Sequence, residues 1–250
     1  MTCALAAENN HLHVLQWARK RNCPWDEWTC ASAAGNGNLV TLQWARQNDC
    51  PWNERTCYYA AKNGHLQVVQ WAQQNGCPCN EVTCAFAAQN GHLHVLEWLR
   101  KQNCPWDEST CSSAAKYGHL HILQWARLYN CPWDKSTYES ATTWGHLHVI
   151  QWAYNNGCPC DTFNCIHAVK FHHYHIIAWI LKNKANFKQI ENYKITEDYK
   201  FRHLNASEYL YDHHEFFKDI NMKEIILGIN STLLTLIWIP DVVKLIKTYI

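Results

Sequence analysis

Between Asp26 and Asn48 the apolar positions fall into two windows, each with helical spacing. In the first, DEWTCASAAGNG at 26–37, the small residues Cys30, Ala33 and Ala34 sit at i, i+3 and i+4. Asp26 supplies an N-cap and Gly37 a stop, so this window predicts a helix. In the second, NLVTLQWARQN at 38–48, Leu39, Leu42 and Trp44 are apolar and Ala45 leaves packing space. That helix must end ahead of Cys50-Pro51, because proline disfavours helical geometry in the residue before it. Two helices this short are marginal in water, so the hairpin has to bury its faces against a neighbour.

The neighbour is the same pattern again. Trp17, Trp44, Trp71, Trp98, Trp125, Trp152 and Trp179 recur at a constant step of 27 residues. Cys-Pro keeps the same register from Cys23-Pro24 to Cys158-Pro159, and a second cysteine column runs Cys3, Cys30, Cys57, Cys84, Cys111 and Cys165, with Tyr138 standing in once. Six copies and a degenerate seventh fill residues 2–184, and each is expected to stack only on its neighbours. After the turn cysteine and proline the residue reads Trp25, Trp52, Cys79, Trp106, Trp133, Cys160, a rhythm that points to duplication of a three-copy block.

Within one copy, TCAFAAQNGHLHVLEWLRKQNC at 83–104 resembles the ankyrin repeat. Thr83 to Ala88 parallels that family's Thr-Pro-Leu-His-x-Ala-Ala helix opening, and Asn90-Gly91-His92-Leu93 with Val95 and Leu96 parallels its Gly-His-Leu second helix. The short Cys-Pro-Trp form is similar to arrays of large DNA viruses of protists and of some protist genomes. The resemblance implies an all-α, ankyrin-type αα-hairpin solenoid that binds proteins. Six residues fewer per copy than the 33-residue family pattern imply that the projecting β-hairpin shrinks to a tight turn. Residues 185–250 are expected to form a C-terminal extension, a loop followed by helices. The chain starts inside a copy without an N-cap equivalent to Asp26, which implies either a fraying first copy or a shortened product.

Charge adds little pull toward any polyanion: 22 basic residues face 21 acidic ones, which argues against nucleic acid and anionic membrane as partners. The longest apolar run, LLTLIWI at 233–239, is too short to span a bilayer, and the first residues do not read as a secretory signal. A cytoplasmic monomer, inside a host cell if the chain is viral, is the expected setting, and its 14 cysteines are expected as free thiols.

Cysteine with histidine invites a metal reading, strongest at Cys77-Pro-Cys79 and Cys158-Pro-Cys160. Equivalent residues in stacked hairpins lie roughly 8–10 Å apart, too far to close a tetrahedral zinc site or a disulfide within one column. A pair of the Cys23 and Cys30 type across one turn stays open. No metal, no other cofactor and no enzymatic activity are expected: no phosphate loop, nucleophile with a base or carboxylate pair occurs in the array. The histidine column, His11, His65, His92, His119 and His146 with Asn38 in the second copy, is expected to hydrogen-bond between copies. The Trp17 column is expected to pack in the core.

Binding should reside where copies differ. Along the first helix these positions are Trp28, Ser32 and Gly35, then Arg55, Tyr59 and Lys62, then Val82, Phe86 and Gln89, then Ser109, Ser113 and Lys116, then Ser136, Ser140 and Thr143. They share one helix face and should align into a ribbon. Trp28, Ser32, Arg55, Tyr58, Tyr59, Lys62, Phe86, Gln89 and Lys116 are the candidate contacts for an unidentified protein partner. A second reading comes from the C-terminus, where Ile239, Pro240, Asp241, Val243 and Ile246 resemble the opening helix of an F-box. That resemblance implies docking to the linker protein of a cullin-type ubiquitin ligase, with the array holding a substrate.

Overall fold

The computed structural model describes residues 2–160 and, beyond them, His167, Ala168, Phe171, His173, His175, Ile176 and Trp179. The chain divides into two units, Met1–Asp161 and Thr162–Ile250. The degenerate seventh copy lies in the second, and the expected boundary at 184 falls outside the described residues.

Among the described residues there are twelve α-helices and no strand. The first helices of successive copies are α1 (Thr2–Glu8), α3 (Glu27–Gly35), α5 (Glu54–Lys62), α7 (Glu81–Gln89), α9 (Glu108–Lys116) and α11 (Lys135–Thr143). The second helices are α2 (Leu12–Lys20), α4 (Leu39–Gln47), α6 (Leu66–Gln74), α8 (Leu93–Lys101), α10 (Leu120–Leu128) and α12 (Leu147–Asn155). The connection between copies is a tight turn, as the missing residues implied.

Small side chains set the packing. Cys30, Ala33, Ala34 and their equivalents are fully buried, so first helices pack directly side by side along the unit, while neighbouring second helices touch sparsely. Leu15, Leu42, Val69, Leu96, Leu123 and Ile150 form the continuous apolar column between the two layers. Burying one such aliphatic side chain stabilises by about 1.5–3 kcal/mol, which compensates for helices too short to stand alone.

Both helix ends are closed by left-handed residues. After the first helix the amide of His65 bonds to the Ala60 carbonyl at 2.9 Å and Gly64, at φ +77°, makes the reversal. After the second, Asn22, Asp49, Asn103 and Asn130 adopt φ of 55–62°, and Gly76 and Gly157 take the same place. Asparagine, aspartate and glycine are the residues that tolerate this region best, and the turn needs one of them in every copy.

The histidine column does link copies. His65 Nε2 lies 3.1 Å from the Gly35 carbonyl, His119 Nε2 3.0 Å from that of Gln89, and His146 Nε2 2.9 Å from that of Lys116. Each imidazole covers the glycine of the preceding turn so closely that a Cβ on Gly37, Gly64 or Gly118 would sit 2.8 Å from a ring atom. The exception obeys the same geometry. Where the preceding turn carries Asn10 instead of glycine, the reaching residue is the smaller Asn38, which donates to the carbonyls of Ala7 and Glu8 at 2.9 and 3.0 Å.

Candidate functional site

The variable first-helix positions come together as a continuous run of rings in copies two to four. Trp28 and Tyr59 lie 5.9 Å apart between centroids, Tyr59 and Tyr58 4.6 Å, and Tyr58 stacks on Phe86 at 5.2 Å. Gly35 is buried rather than displayed: a Cβ there would approach Tyr59 Cβ to 3.3 Å, so its small size admits the tyrosine. Cations flank the run, with the Arg55 guanidinium 4.8 Å from the Trp28 ring and the Lys62 ammonium 5.4 Å from Phe86. Trp28 is 43% exposed; Ser32, Arg55, Tyr58, Tyr59, Lys62, Phe86, Gln89 and Lys116 are half-buried on the same face.

A second aromatic group escaped the sequence reading. Tyr117 and Trp144 stack 6.1 Å apart, with the Lys116 ammonium 4.9 Å from Trp144. They occupy the turn position that is Asn36, Asn63 and Asn90 in earlier copies, and that substitution is the signal that could have found them. In the fifth and sixth copies the helix face itself turns to serines, of which Ser109 and Ser136 donate to the capping carboxylates of Asp107 and Asp134.

The Trp17 column is not core. Trp17 is 56% exposed and Trp44, Trp71, Trp98, Trp125 and Trp152 are half-buried on the second-helix side. Where the preceding turn carries tryptophan the two rings meet: Trp25 with Trp44 at 5.9 Å, Trp52 with Trp71 at 5.8 Å and Trp106 with Trp125 at 5.8 Å edge-on, and Trp133 with Trp152 tilted at 5.8 Å. An arginine six residues earlier stacks on the turn ring, Arg19 on Trp25, Arg46 on Trp52, Arg100 on Trp106 and Arg127 on Trp133, at 4.1–4.4 Å. The small residues between the layers leave no room for an indole, so the rings lie outside. Copies with Cys79 or Cys160 in place of tryptophan carry Gln73 or Tyr154 in place of arginine and Gly76 or Gly157 at the left-handed position, so three positions change as a set. A recess of about 380 Å³ opens beside this seam, lined by Gln43, Arg46, Gln47, Trp52, Trp71 and Asn75. Its lining pairs no nucleophile with a base.

The thirteen described cysteines are free thiols. Pairs form across 20 residues within a copy, Cys30 with Cys50, Cys57 with Cys77 and Cys111 with Cys131, and Cys104 meets both Cys84 and the turn residue Cys79. In the first five copies the first-helix cysteine thus meets the Cys-Pro that closes the same copy. Contact with the partner thiol and then burial push Cys30, Cys57 and Cys111 far up; burial first, then Cys23, pushes Cys3 to about 11. Cys77 Sγ also lies 3.4 Å from the carbonyl of the cap residue Asn53. A thiol held protonated is a poor nucleophile, and among the described residues no group of three His, Cys, Asp or Glu side chains is arranged to hold a metal. Ile239, Pro240, Asp241, Val243 and Ile246 lie outside the described residues.

Stacked hairpins with a repeated frame and a varied first-helix face define a helical repeat solenoid. Residues 57–100 match the family model for ankyrin repeats in many copies. The chain also matches the crystal structure of the human ASB11 ankyrin repeat domain with a TM-score of 0.53 and 15% identity, over 64% of this chain and 85% of that one. No curated protein sequence matches it. Residues 57–100 thus read as ankyrin repeats and the array shares the fold of an ankyrin repeat domain; ankyrin repeats generally mediate protein–protein interaction. No described helix is long and apolar enough to cross a membrane.

Proposed function

We propose that this protein is a non-enzymatic, monomeric interaction scaffold whose first-helix ribbon, Trp28, Ser32, Arg55, Tyr58, Tyr59, Lys62, Phe86, Gln89 and Lys116, contacts a protein partner. The ring run from Trp28 to Phe86 carries this reading. Aromatic side chains held in place by stacking lose little freedom when a partner arrives, and aromatic and arginine residues dominate interface energetics. Free thiols throughout the described array favour a cytoplasmic setting. The test is site-specific photocrosslinking in host-cell extract. A benzophenone side chain at Phe86 should trap discrete proteins that the same group at Val40, 65% exposed, does not; equal labelling from both sites sinks the proposal.

The degradation-adaptor reading rests on the sequence of residues 239–250. Affinity purification with and without those twelve residues tests it, and ligase subunits missing from both samples dismiss it.

A further inference from the structure

We infer that the segment bound by the ribbon is an extended, acidic stretch of polypeptide. The inference rests on the ribbon reading above and adds its chemistry.

The charges at the ribbon positions have one sign: from Trp28 to Lys116 the charged residues among them are Arg55, Lys62 and Lys116, and none is a carboxylate. All three cations lie against rings: Arg55 on Trp28, Lys62 on Phe86, Lys116 on Tyr117 and Trp144. No carboxylate neutralises them among the described residues. The acidic residues that border the ribbon are Glu27, Glu54, Glu81 and Glu108, each the first residue of its helix, where it complements the helix N-terminus. The whole chain is nearly neutral, with 22 basic and 21 acidic residues, so three unpaired cations on one face are a local arrangement and not a reflection of composition.

A cation resting on a ring is already oriented, and a guanidinium stacked by its face retains in-plane N–H donors that match a carboxylate. A carboxylate arriving at Arg55 or Lys62 therefore gains a charge-assisted bond without paying to order the side chain. The rings between the two cations offer apolar faces to the intervening side chains of the same segment.

Spacing fixes the length. Neighbouring first helices are about 8–10 Å apart, so the path from copy two to copy four covers roughly 16–20 Å, and continuing to Lys116 roughly 24–30 Å. An extended chain advances about 3.3 Å per residue, so six residues span the ring run and about nine reach Lys116. In such a strand alternate side chains face the ribbon, which favours carboxylates alternating with outward-facing residues near its ends and an apolar residue at its centre.

The test is selection of a displayed random twelve-residue peptide library on the full-length protein, repeated on a Phe86→Ala/Trp28→Ala variant and on an Arg55→Glu/Lys62→Glu variant. Circular dichroism confirms that each is folded, and Arg55→Gln/Lys62→Gln is a milder replacement. Selected peptides should carry net negative charge. Replacing their Asp and Glu by Asn and Gln should weaken binding at least tenfold by fluorescence anisotropy, and charge reversal of the protein should shift selection to basic peptides. Neutral or basic peptides that bind the native chain but not the Phe86→Ala/Trp28→Ala variant overturn the acidic inference and leave the ribbon standing. Peptides that bind all variants equally, or no peptide below about 100 µM, overturn both.

Discussion

The guanidinium of Arg46 lies 4.4 Å above the Trp52 ring and also donates to the Cys50 carbonyl, so one side chain closes the α4 end and clamps the turn that leads to the next copy. Stacking on an indole at a partly exposed site stabilises by about 0.5–1 kcal/mol, and a charge-assisted bond to a terminal carbonyl adds a comparable amount. Arg46→Ala should therefore cost about 1–2 kcal/mol in urea unfolding. Gln73→Ala, at the matching place in the copy with Cys79, should cost less than about 0.5 kcal/mol. A double-mutant cycle of Arg46→Ala with Trp52→Ala should return about 0.5–1 kcal/mol of coupling; a coupling of zero would show that the stack contributes nothing.

The buried threonines of the first helix divide into two kinds. Thr83 closes a capping box with Asn80, its amide 3.3 Å from the Asn80 side chain and its hydroxyl 3.4 Å from the Asn80 amide. Thr29, Thr56, Thr110 and Thr137 occupy the same position fully buried, and their hydroxyl oxygens find no partner among the described residues. Valine has the same shape without the hydroxyl. Thr56→Val should hold or raise stability, by up to about 1 kcal/mol, whereas Thr83→Val should lose about 1 kcal/mol. Equal losses in thermal unfolding at the two sites would refute the distinction.

Acid should loosen the array through its imidazoles. Burial, then the charge of His94, holds His92 below the usual histidine value of 6.5, and burial does the same to His119; His65 and His119 add repulsion at His92. Below that value the unfolded chain binds more protons than the folded one, so stability is full above about pH 6.5 and falls as the pH drops toward the lowered folded values. Denaturation midpoints should be flat from pH 8 to 7 and decline below about 6.5. His92→Asn, which copies the Asn38 solution, should make that decline shallower while preserving an inter-copy bond. An unchanged slope would remove His92 from the account.

Gly64 and Gly76 separate two costs that usually travel together. Both are left-handed, at φ +77° and +83°, but a Cβ on Gly64 would lie 2.8 Å from the His92 ring, whereas one on Gly76 meets nothing within 4 Å. Gly76→Asn should be tolerated within about 0.5 kcal/mol, because Asn22, Asn103 and Asn130 already hold that conformation. Gly64→Asn should cost at least about 2 kcal/mol more, as the imidazole is driven from its carbonyl. Matching unfolding curves for the two variants would mean that the ring yields freely.

The frame was legible in the sequence because most copies restate it: the helix windows, the turn glycine and the linking histidine are each readable from their repetition, whereas Asp26 stands at the N-cap position without a side-chain cap bond. Contacts made between columns were less visible. The step of 27 aligns Trp17 with Trp44 and hides that Trp44 meets Trp25, or that Arg46 belongs to Trp52. The Trp-to-Cys rhythm at Trp25, Trp52 and Cys79 was read as history, but it travels with Arg19, Arg46 and Gln73 because a stacked cation without its ring has no use. Core packing of the Trp17 column is the expectation that fails, because the alanine and cysteine that let first helices approach closely exclude an indole. Tyr117 and Trp144 stand on the turn that adjoins the helix face, outside the i, i+4 and i+7 spacing that marks the ribbon.

The inter-copy bonds from His65, His119 and His146 all reach back 30 residues, so each is complete within two consecutive copies. A gene carrying such an array can gain or lose units of 27 codons by unequal exchange without leaving an interior donor orphaned, provided that Trp or Cys at the turn moves together with its arginine and left-handed residue. Array length, and with it the extent of the binding face, is therefore free to change in a single genetic step while each junction keeps the same contacts.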